Sequence, residues 1–295
     1  MTEPGAAFRL DRARVRASFE RASVRYESAA GLQARVATEL LERLRPFRFA
    51  PRVVLDVGAG TGRATRELKL LYPRALVVAV DLAAGMLHEA RRHQPLWRRF
   101  GRVCADAMRL PVKDASVDVI FSSLMLQWCE PLDAALAEAR RVLKPAGFFA
   151  FSTFGADTLK ELRTAWAQAD GYNHVNHFPE VYELGDALAR AGLTEPVLDV
   201  DRIEAGYPDA LSLMRDLKTI GAHNVTAGRP RALAGRSRLL RMQQAYESAR
   251  RDTLLPATWE ILYGASWGAA GRQVTPAAGE VALIAPGSIG RRARP

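Results

Sequence analysis

The sequence predicts an α/β protein built on a doubly wound, mostly parallel sheet of seven strands, with a helical lid or insertion. Between residues 51 and 154, apolar runs of strand length alternate with amphipathic segments of roughly 10–15 residues, which is the pattern of strands connected by helices. The 295 residues are enough for one large domain. Their 48% hydrophobic and 25% charged content is that of a globular protein with a buried core.

The first 50 residues are predicted to form a helical lid. Within them a helix is expected over residues 32–47, because large apolar side chains recur there on one stripe. From residue 51 onwards, strands are predicted at 53–57, 76–80, 102–104, 117–122 and 148–153, and helices at 62–72, 85–93 and 132–143. These alternating elements make the parallel part of the sheet.

The pattern changes after Phe154. Helices are predicted at 157–167 and 180–190, and two more strands at 195–203 and 258–267, so that the main domain covers residues 51–267. Between the last two strands, residues 206–255 are predicted to form a basic helical insertion that binds substrate. Residues 268–295 contain seven Ala, five Gly, three Pro and four Arg, and a disordered tail is expected because they carry too little apolar bulk to fold.

The charge is basic and unevenly distributed. Lys and Arg total 42 against 32 Asp and Glu, which leaves a net charge of +10. Residues 206–251 alone hold nine basic and three acidic side chains. Such a stretch is either an ordinary solvated face or a docking surface for an anionic partner, namely nucleic acid, a membrane surface or an acidic protein.

Composition excludes several classes of protein. No apolar run approaches the roughly 20 residues of a membrane helix, and the N-terminus has no apolar signal segment. The two cysteines cannot form a disulfide framework, and the five histidines show no zinc-ligand spacing. A reduced, cytoplasmic, metal-free protein is therefore expected.

A glycine-rich turn follows the first predicted strand, with the spacing Asp56-x-Gly58-x-Gly60-x-Gly62. Glycines let the backbone pass close to a ligand, and the helix that follows presents free N–H groups. The spacing differs from the Gly-x-Gly-x-x-Gly dinucleotide fingerprint, and the Gly-Lys-Ser/Thr of a phosphate-binding P-loop is absent. An NTPase is therefore disfavoured.

Two more acidic residues follow the next two predicted strands. Asp81 fits an acceptor for ribose hydroxyls, and Asp106 fits an acceptor for an adenine amino group. Each of them, taken singly, is explained equally well as a loop cap. Three acids at the ends of successive parallel strands, beside a glycine turn, instead favour a nucleoside site in the crevice at that edge of the sheet.

Residues 53–153 resemble the class I S-adenosylmethionine-dependent methyltransferases in the glycine turn, the aspartates and Leu143-Lys-Pro-Ala-Gly147. The resemblance implies a Rossmann-like fold, S-adenosylmethionine as the methyl donor and S-adenosylhomocysteine as the product. It assigns the donor site to Asp56, Gly58, Ala59, Gly60, Gly62, Asp81, Leu82, Met86, Asp106, Ala107, Met108 and Ser122. Met86 is expected either to pack on the adenine ring or to be an ordinary core residue.

Further blocks resemble the malonyl-acyl-carrier-protein O-methyltransferases of biotin synthesis. They lie at residues 19–33, 124–129, 214–222, 228–229 and 255–258. The resemblance extends from about residue 19 to residue 267 and implies methyl transfer to the free carboxylate of a malonyl thioester, which gives the malonyl methyl ester that primes biotin (pimeloyl) synthesis. One departure is His177, where members of that family carry Arg.

The acceptor carboxylate of such a substrate is already ionised near neutral pH, so no general base is required. The protein must hold one carboxylate oxygen in line with the methyl group, and this placement supplies most of the rate. A cationic side chain is expected to bind the carboxylate. The candidates are Arg215 first, then Lys218 and His223, although an ordinary solvated helix position explains Arg215 equally well.

Other candidate acceptor-site residues come from the same resemblance. Tyr26 is a candidate lid residue, or alternatively a packing residue. Gln127 and Trp128 follow the fourth predicted strand, where acceptors bind, although Trp128 is equally well explained as core. His174, His177 and Arg229 complete the set of candidate substrate residues.

The resemblance also gives the basic excess a role, because acyl carrier proteins are acidic. The expected partner is acyl carrier protein, or coenzyme A, carrying malonyl, and docking is expected on Arg229, Arg231, Arg236, Arg238 and Arg241. No membrane partner is expected. Nucleic acid is disfavoured because the segment after the fourth strand lacks the Asp/Asn-Pro-Pro-aromatic motif. Two alternatives stay open: a methyltransferase of the same fold acting on a small molecule or RNA, and a relative of the complex I assembly factor that hydroxylates an arginine or binds a partner.

Overall fold

A computed structural model describes residues 10–47, 50–222, 224 and 235–268. Its strands are β1 (Val53–Val57), β2 (Leu76–Asp81), β3 (Gly101–Cys104), β4 (Val117–Ser123), β5 (Leu143–Phe154), β6 (Thr194–Tyr207) and β7 (Leu255–Trp267). Its helices are α1 (Arg12–Ala29), α2 (Gly31–Leu44), α3 (Arg63–Leu71), α4 (Ala84–Arg92), α5 (Leu132–Val142), α6 (Lys160–Ala169), α7 (Val181–Arg190), α8 (Ala210–Thr219) and α9 (Arg236–Glu247). A short 3-10 helix (Leu126–Trp128) follows β4.

The seven strands form one sheet in the order β3-β2-β1-β4-β5-β7-β6. Strands β1 to β5 pair in parallel, whereas β7 is antiparallel to both β5 and β6. The predicted fold class, a mostly parallel seven-stranded α/β sheet, is confirmed. Strand β7 inserts between β5 and β6. The last two strands extend a few residues beyond their predicted ends and pair from Thr194 with Trp267 to Tyr207 with Leu255.

The sheet is covered on both faces, and alternate residues of each central strand enter different cores. Val54 of β1 packs into the core on one face, and Leu55 packs into the core on the other. Val119 and Ile120 of β4 divide in the same way. Strands buried on both faces need continuous apolar sequence, which is why these short runs were recognisable in the sequence.

The chain reverses its direction across the sheet between β1 and β4. It proceeds from β1 to β2 and β3 on one side, and then from β4 to β5 on the other. A crevice opens at the carboxyl ends of the strands at such a switch point, and open α/β sheets bind their ligands there. The glycine turn after β1 lies at this position.

The lid prediction missed one helix. The structure has α1 ahead of the expected helix α2, and the side chains that α1 buries are small: Val15, Ser18, Ala22 and Ser23. A face of small side chains gives no apolar stripe in the sequence, so the periodicity that predicted α2 was absent here. The assignment of residues 1–50 to a lid remains a prediction.

The basic segment between β6 and β7 is not one continuous helix. It contains α8 and α9, and residues 223 and 225–234 between them lie outside the described part of the chain. The predicted tail also lies outside it, apart from Gly268. Among the described helices, none combines the length and the apolar character needed to cross a membrane.

Candidate active site

The turn after β1 is held tightly against β2. The backbone N–H groups of Gly58 and Ala59 both donate to the carbonyl oxygen of Val80, over 2.8 and 3.0 Å, and the N–H of Gly60 donates to Asp81 Oδ2 over 2.8 Å. The backbone φ angle is +80° at Gly58, +54° at Gly60 and +76° at Gly62. Because residues with a Cβ rarely adopt such angles, the glycines are what allows the turn to form.

Two carboxylates flank this turn, that of Asp56 buried and that of Asp81 partly buried. Thr65 Oγ1 donates to Asp56 Oδ2 over 2.5 Å, and Asp81 Oδ1 accepts the N–H of Ala83 over 2.9 Å. Burial raises the pKa of Asp56 to about 7, with a further contribution from the negative charge of Asp81. Burial likewise raises the pKa of Asp81 to about 6, although the N–H groups of Ala83 and Gly60 oppose that shift. Both carboxylates therefore favour a ligand that supplies donors or positive charge.

The third acid lies beyond β3. Asp106 Oδ1 accepts the N–H of Met108 over 2.9 Å, and its carboxylate forms an ion pair with Arg12 of α1. Met86, on α4, is fully buried and also lines the cavity. Met86 is therefore a core residue that also faces the cavity, and its packing on an adenine ring stays a prediction.

Helix α1 covers the crevice. Glu20 Oε1 accepts the N–H of Gly85 at the start of α4 over 2.9 Å, and Glu27 forms an ion pair with Arg66 at 2.7 Å. Tyr26 lines the cavity, and burial, reinforced by the charge of Asp81, raises the pKa of its phenol. These contacts place the predicted lid residue Tyr26 over the predicted donor site.

The crevice beneath α1, together with its opening to solvent, has a volume of about 940 Å³. Predicted site residues that line it are Tyr26, Gly58, Gly60, Asp81, Leu82, Met86, Asp106, Ala107, Met108, Gln127 and Trp128. Asp56 and Ala59 line an adjoining lobe together with Gly58, Gly60 and Tyr26. The structure thus brings nearly all of the predicted donor residues to one place, although their individual roles remain proposals.

Two predicted donor residues do not reach the cavity. Ser122 is fully buried, and its hydroxyl donates to the carbonyl oxygen of Val57 over 2.9 Å. Its neighbour Ser123 lines the cavity instead, because successive side chains of a strand point to opposite faces. Gly62 precedes α3, and a Cβ there would lie 2.9 Å from that of Ala90, so its role is helix packing.

A second cavity, of about 880 Å³ together with its opening to solvent, adjoins the first. Trp128, Phe154 and Ala222 line both cavities and form the boundary between them. The remaining wall is mainly apolar and aromatic, with Trp166, Phe178, Met214, Leu217 and Trp259 among its members. An acceptor in this second cavity would therefore meet the donor cavity at the shared boundary.

Three predicted acceptor residues line these cavities: Gln127 the first, His174 the second, and Trp128 the boundary between them. The Trp128 ring packs edge-on against Phe19 of α1, with 5.2 Å between the ring centroids. Gln127 is buried, donates to the carbonyl oxygen of Leu124 over 2.6 Å and accepts from Thr153 Oγ1 over 3.1 Å. His174 lines the second cavity, and its Nε2 lies 2.8 Å from Asp170 Oδ1.

For Arg215, the first candidate to bind the acceptor carboxylate, the structure agrees with the alternative interpretation, an ordinary solvated helix position. Arg215 has a side chain 70% exposed to solvent, lies 3.9 Å from Asp209 and lines neither cavity. Lys218 is also exposed. Met214 and Leu217, three residues apart, face the second cavity, so Arg215 and Lys218 project away from it.

The remaining candidates are not at the site or cannot be placed. His177 is exposed and lines a separate surface pocket with Leu10 and Glu130. His223 and Arg229 lie outside the described residues. The cation that would bind an acceptor carboxylate is therefore not identified among the described residues.

Several cavity residues were missed by the sequence interpretation. They are Arg12, Phe19, Gln33, Ser123, Met125, Phe154, Asn176 and Met214. Those on α1 and α2 reach the site only because the lid folds over the sheet. Asn176 belongs to an irregular loop, where no periodicity points to a functional side chain.

The residues of the first cavity fit S-adenosylmethionine. When bound, that molecule supplies a methyl group on a positively charged sulfur. Its two ribose hydroxyls and its adenine amino group are donors that match Asp81 and Asp106, and Arg12 is the one basic side chain among the described residues that line the cavity. In the described part of the chain, no three His, Cys, Asp or Glu side chains cluster as metal ligands.

Comparison with known proteins agrees with this site. Residues 55–151 match the family described as "Methyltransferase domain". The solved structure of the YcgJ protein from Bacillus subtilis superposes with a TM-score of 0.58 and 16% identity, covering 79% of this chain and 99% of that one. The complex between the Haloferax volcanii Trm112 methyltransferase activator and a methyltransferase gives a TM-score of 0.56 and 18% identity, covering 88% and 99%. The fold and the donor cavity define a class I S-adenosylmethionine-dependent methyltransferase.

Closer relatives share almost the whole chain. A malonyl-acyl-carrier-protein O-methyltransferase of Laribacter hongkongensis is 49% identical, covering 92% of this chain and 93% of its own. Proteins of the same name from Methylovorus sp. and Halorhodospira halophila are each 47% identical and cover 92% and 98% of this chain, and 93% and 99% of their own. The chain belongs to the malonyl-acyl-carrier-protein O-methyltransferase family.

Proposed function

We propose that the protein transfers a methyl group from S-adenosylmethionine to the free carboxylate of malonyl-acyl-carrier protein, giving the malonyl methyl ester that primes biotin synthesis. The observation that carries this proposal is the 47–49% identity, over more than nine-tenths of the chain, to three relatives of that name. The adjoining donor and apolar cavities support it. A cytoplasmic location remains a prediction.

The arrangement suits a reaction that needs placement rather than acid–base chemistry. The described residues of the second cavity include no Asp, Glu, Lys or Arg, and His174 is their one titratable imidazole. Since the acceptor carboxylate is already ionised, no base is needed at the boundary. The rings of Trp128 and Phe154 line this boundary, and an apolar boundary favours a step in which opposite charges neutralise.

The direct test compares malonyl and acetyl thioesters with labelled donor. Methyl transfer to malonyl-acyl-carrier protein and none to acetyl-acyl-carrier protein is expected, because only malonyl carries a free carboxylate. The product should be an ester that mild alkali hydrolyses. A protein that binds donor tightly but methylates neither thioester contradicts the proposal and favours a small-molecule or RNA substrate.

The carrier protein is proposed to dock beside α9. Arg241 Nη2 donates to the carbonyl oxygen of Ala169 over 3.0 Å, and the Arg238 guanidinium lies 5.5 Å from the ring centroid of Tyr172. These two arginines hold α9 against the C-terminal end of α6 and the loop that follows it. Arg236, at the start of α9, is exposed. A positive rim of this kind would steer an acidic partner towards that cavity.

Reversing charge on this rim should weaken carrier recognition selectively. We expect Arg236→Glu combined with Arg231→Glu (Arg231 lies outside the described residues) to raise KM for malonyl-acyl-carrier protein about tenfold at low salt. KM for malonyl-pantetheine, which lacks the protein, should stay unchanged. Arg74→Glu, an exposed reversal next to the N-terminal end of β2, is the matched control. Equal increases for both substrates would exclude docking at α9.

A further inference from the structure

The second cavity contains one buried acceptor that no described residue satisfies. Asn176 is 8% exposed and lines the cavity, and its Oδ1 accepts no hydrogen bond from the part of the chain that the structure describes. Leaving such a group unsatisfied costs about 1–3 kcal/mol. Buried polar atoms are nearly always satisfied, so this exception requires an explanation.

The loop residues that precede Asn176 are held by contacts with α6 and with Asn224. The imidazole of His174 stacks on the indole of Trp166, with 3.6 Å between centroids and 8° between planes, and also contacts Asp170. Asn173 Oδ1 accepts the N–H of Val175 over 3.3 Å, and the Asn173 carbonyl oxygen accepts from Asn224 Nδ2 over 2.6 Å. Because these contacts hold the neighbours of Asn176 in place, Asn176 itself has a fixed position in the wall of the second cavity.

The surroundings restrict what can satisfy this acceptor. Apart from His174 and Asn224, the described residues that share the cavity with Asn176 are apolar or aromatic. A water molecule that hydrogen-bonds to Asn176 Oδ1 in the absence of substrate is displaced when the substrate binds. Binding is then weakened unless the substrate itself supplies an N–H or O–H group to this oxygen. The malonyl thioester offers acceptors only, in its carbonyl and carboxylate oxygens. The pantetheine arm that carries it offers two amide N–H groups, and its hydroxyl donor lies further from the thioester than either amide.

We propose that the second cavity holds the pantetheine arm of the substrate and that Asn176 Oδ1 accepts an amide N–H of that arm. The inference rests on the proposed function. The arm would enter beside α9, where Arg238 lies 4.0 Å from Asp170 of the same loop, and would reach the donor cavity at Trp128, Phe154 and Ala222. Asn176 would then bind the pantetheine arm and not the malonyl group.

The test measures binding to donor-free protein, so that no methyl transfer occurs. We expect Asn176→Leu to weaken the binding of malonyl-pantetheine, measured by titration calorimetry, about tenfold. Binding of S-propyl malonyl thioester, which has no amide, should change less than about twofold. The melting temperature should be unchanged or higher, because Leu of similar size removes an unsatisfied polar atom.

A matched variant and a substrate analogue complete the experiment. Met214→Leu alters the same cavity without removing a hydrogen-bonding group, so it should affect both ligands alike. Malonyl-pantetheine methylated on both amide nitrogens should bind to the unaltered protein about as weakly as malonyl-pantetheine binds to Asn176→Leu. This comparison uses only the unaltered protein, so it tests the role of the amide groups even if Asn176→Leu does not fold.

The outcomes separate the two proposals. If the unaltered protein methylates malonyl-pantetheine but neither Asn176→Leu nor N-methylation weakens its binding selectively, the inference is overturned and the proposed function stands. If the protein methylates no malonyl thioester, the proposed function fails and the inference falls with it.

Discussion

Replacing Asp81 with Ala is expected to weaken the binding of S-adenosylhomocysteine by at least about 100-fold, because two charge-assisted hydrogen bonds to ribose hydroxyls disappear. The carboxylate faces the cavity and also accepts the N–H groups of Gly60 and Ala83, so its loss loosens the turn as well. Titration calorimetry with S-adenosylhomocysteine measures the affinity without any acceptor.

Asp118→Ala provides the matched control for Asp81→Ala. Asp118 Oδ2 accepts two backbone N–H groups, those of Arg52 and Val53, each over 2.9 Å, and Oδ1 pairs with Lys144. These bonds lie at the amino ends of β1 and β4, whereas the cavity lies at the carboxyl ends of the strands. The control should lower stability but leave donor affinity within about twofold. An Asp81→Ala protein that binds S-adenosylhomocysteine as tightly as this control would refute the ribose role.

Gly58→Ala should both destabilise the protein and lower donor affinity. A Cβ at this position would lie 2.3 Å from Met125 Cγ and 2.4 Å from Met125 Cβ, and the φ of +80° is itself unfavourable for Ala. The strained angle costs about 1–2 kcal/mol. Displacing Met125, which lines the donor cavity, adds to that cost and narrows the site. We expect a total of about 2–3 kcal/mol in unfolding free energy and about a tenfold weaker donor affinity.

Urea unfolding and calorimetry check the Gly58 prediction, with Gly31→Ala as the control. Gly31 begins α2, and a Cβ there meets no atom within 4 Å. That substitution should leave donor affinity unchanged and stabilise the helix slightly. Wild-type stability and affinity in Gly58→Ala would show that the turn tolerates a side chain and is not a close-approach site.

The donor site was predictable because its signals are local. The apolar run before Asp56 and the three glycines after it lie together in one segment of ten residues, 53–62. Parallel strands necessarily bring their carboxyl ends to one edge, so Asp81 and Asp106 could be assigned to the same crevice without coordinates. The structure confirms that all three acids line this crevice or its adjoining lobe.

The acceptor side was not predictable in the same way. Arg215 and Met214 are neighbours in sequence, and only the packing of α8 decides which of them faces the cavity. A shift of one residue also separated Ser122 from Ser123, because the pleat of β4 sends them to opposite faces. Asn176 carries no pattern at all, since an irregular loop has no periodicity to interpret.

The amino-acid sequence by itself therefore determined the sheet, the switch point and the donor edge, because short-range periodicity and strand polarity are properties of contiguous residues. Only the tertiary structure decided how α1 covers the donor cavity, that α8 lines a second apolar cavity, and that this second cavity meets the first at Trp128. Those features depend on contacts between segments more than 90 residues apart, as between Phe19 and Trp128, and side-chain order along the chain does not specify such contacts.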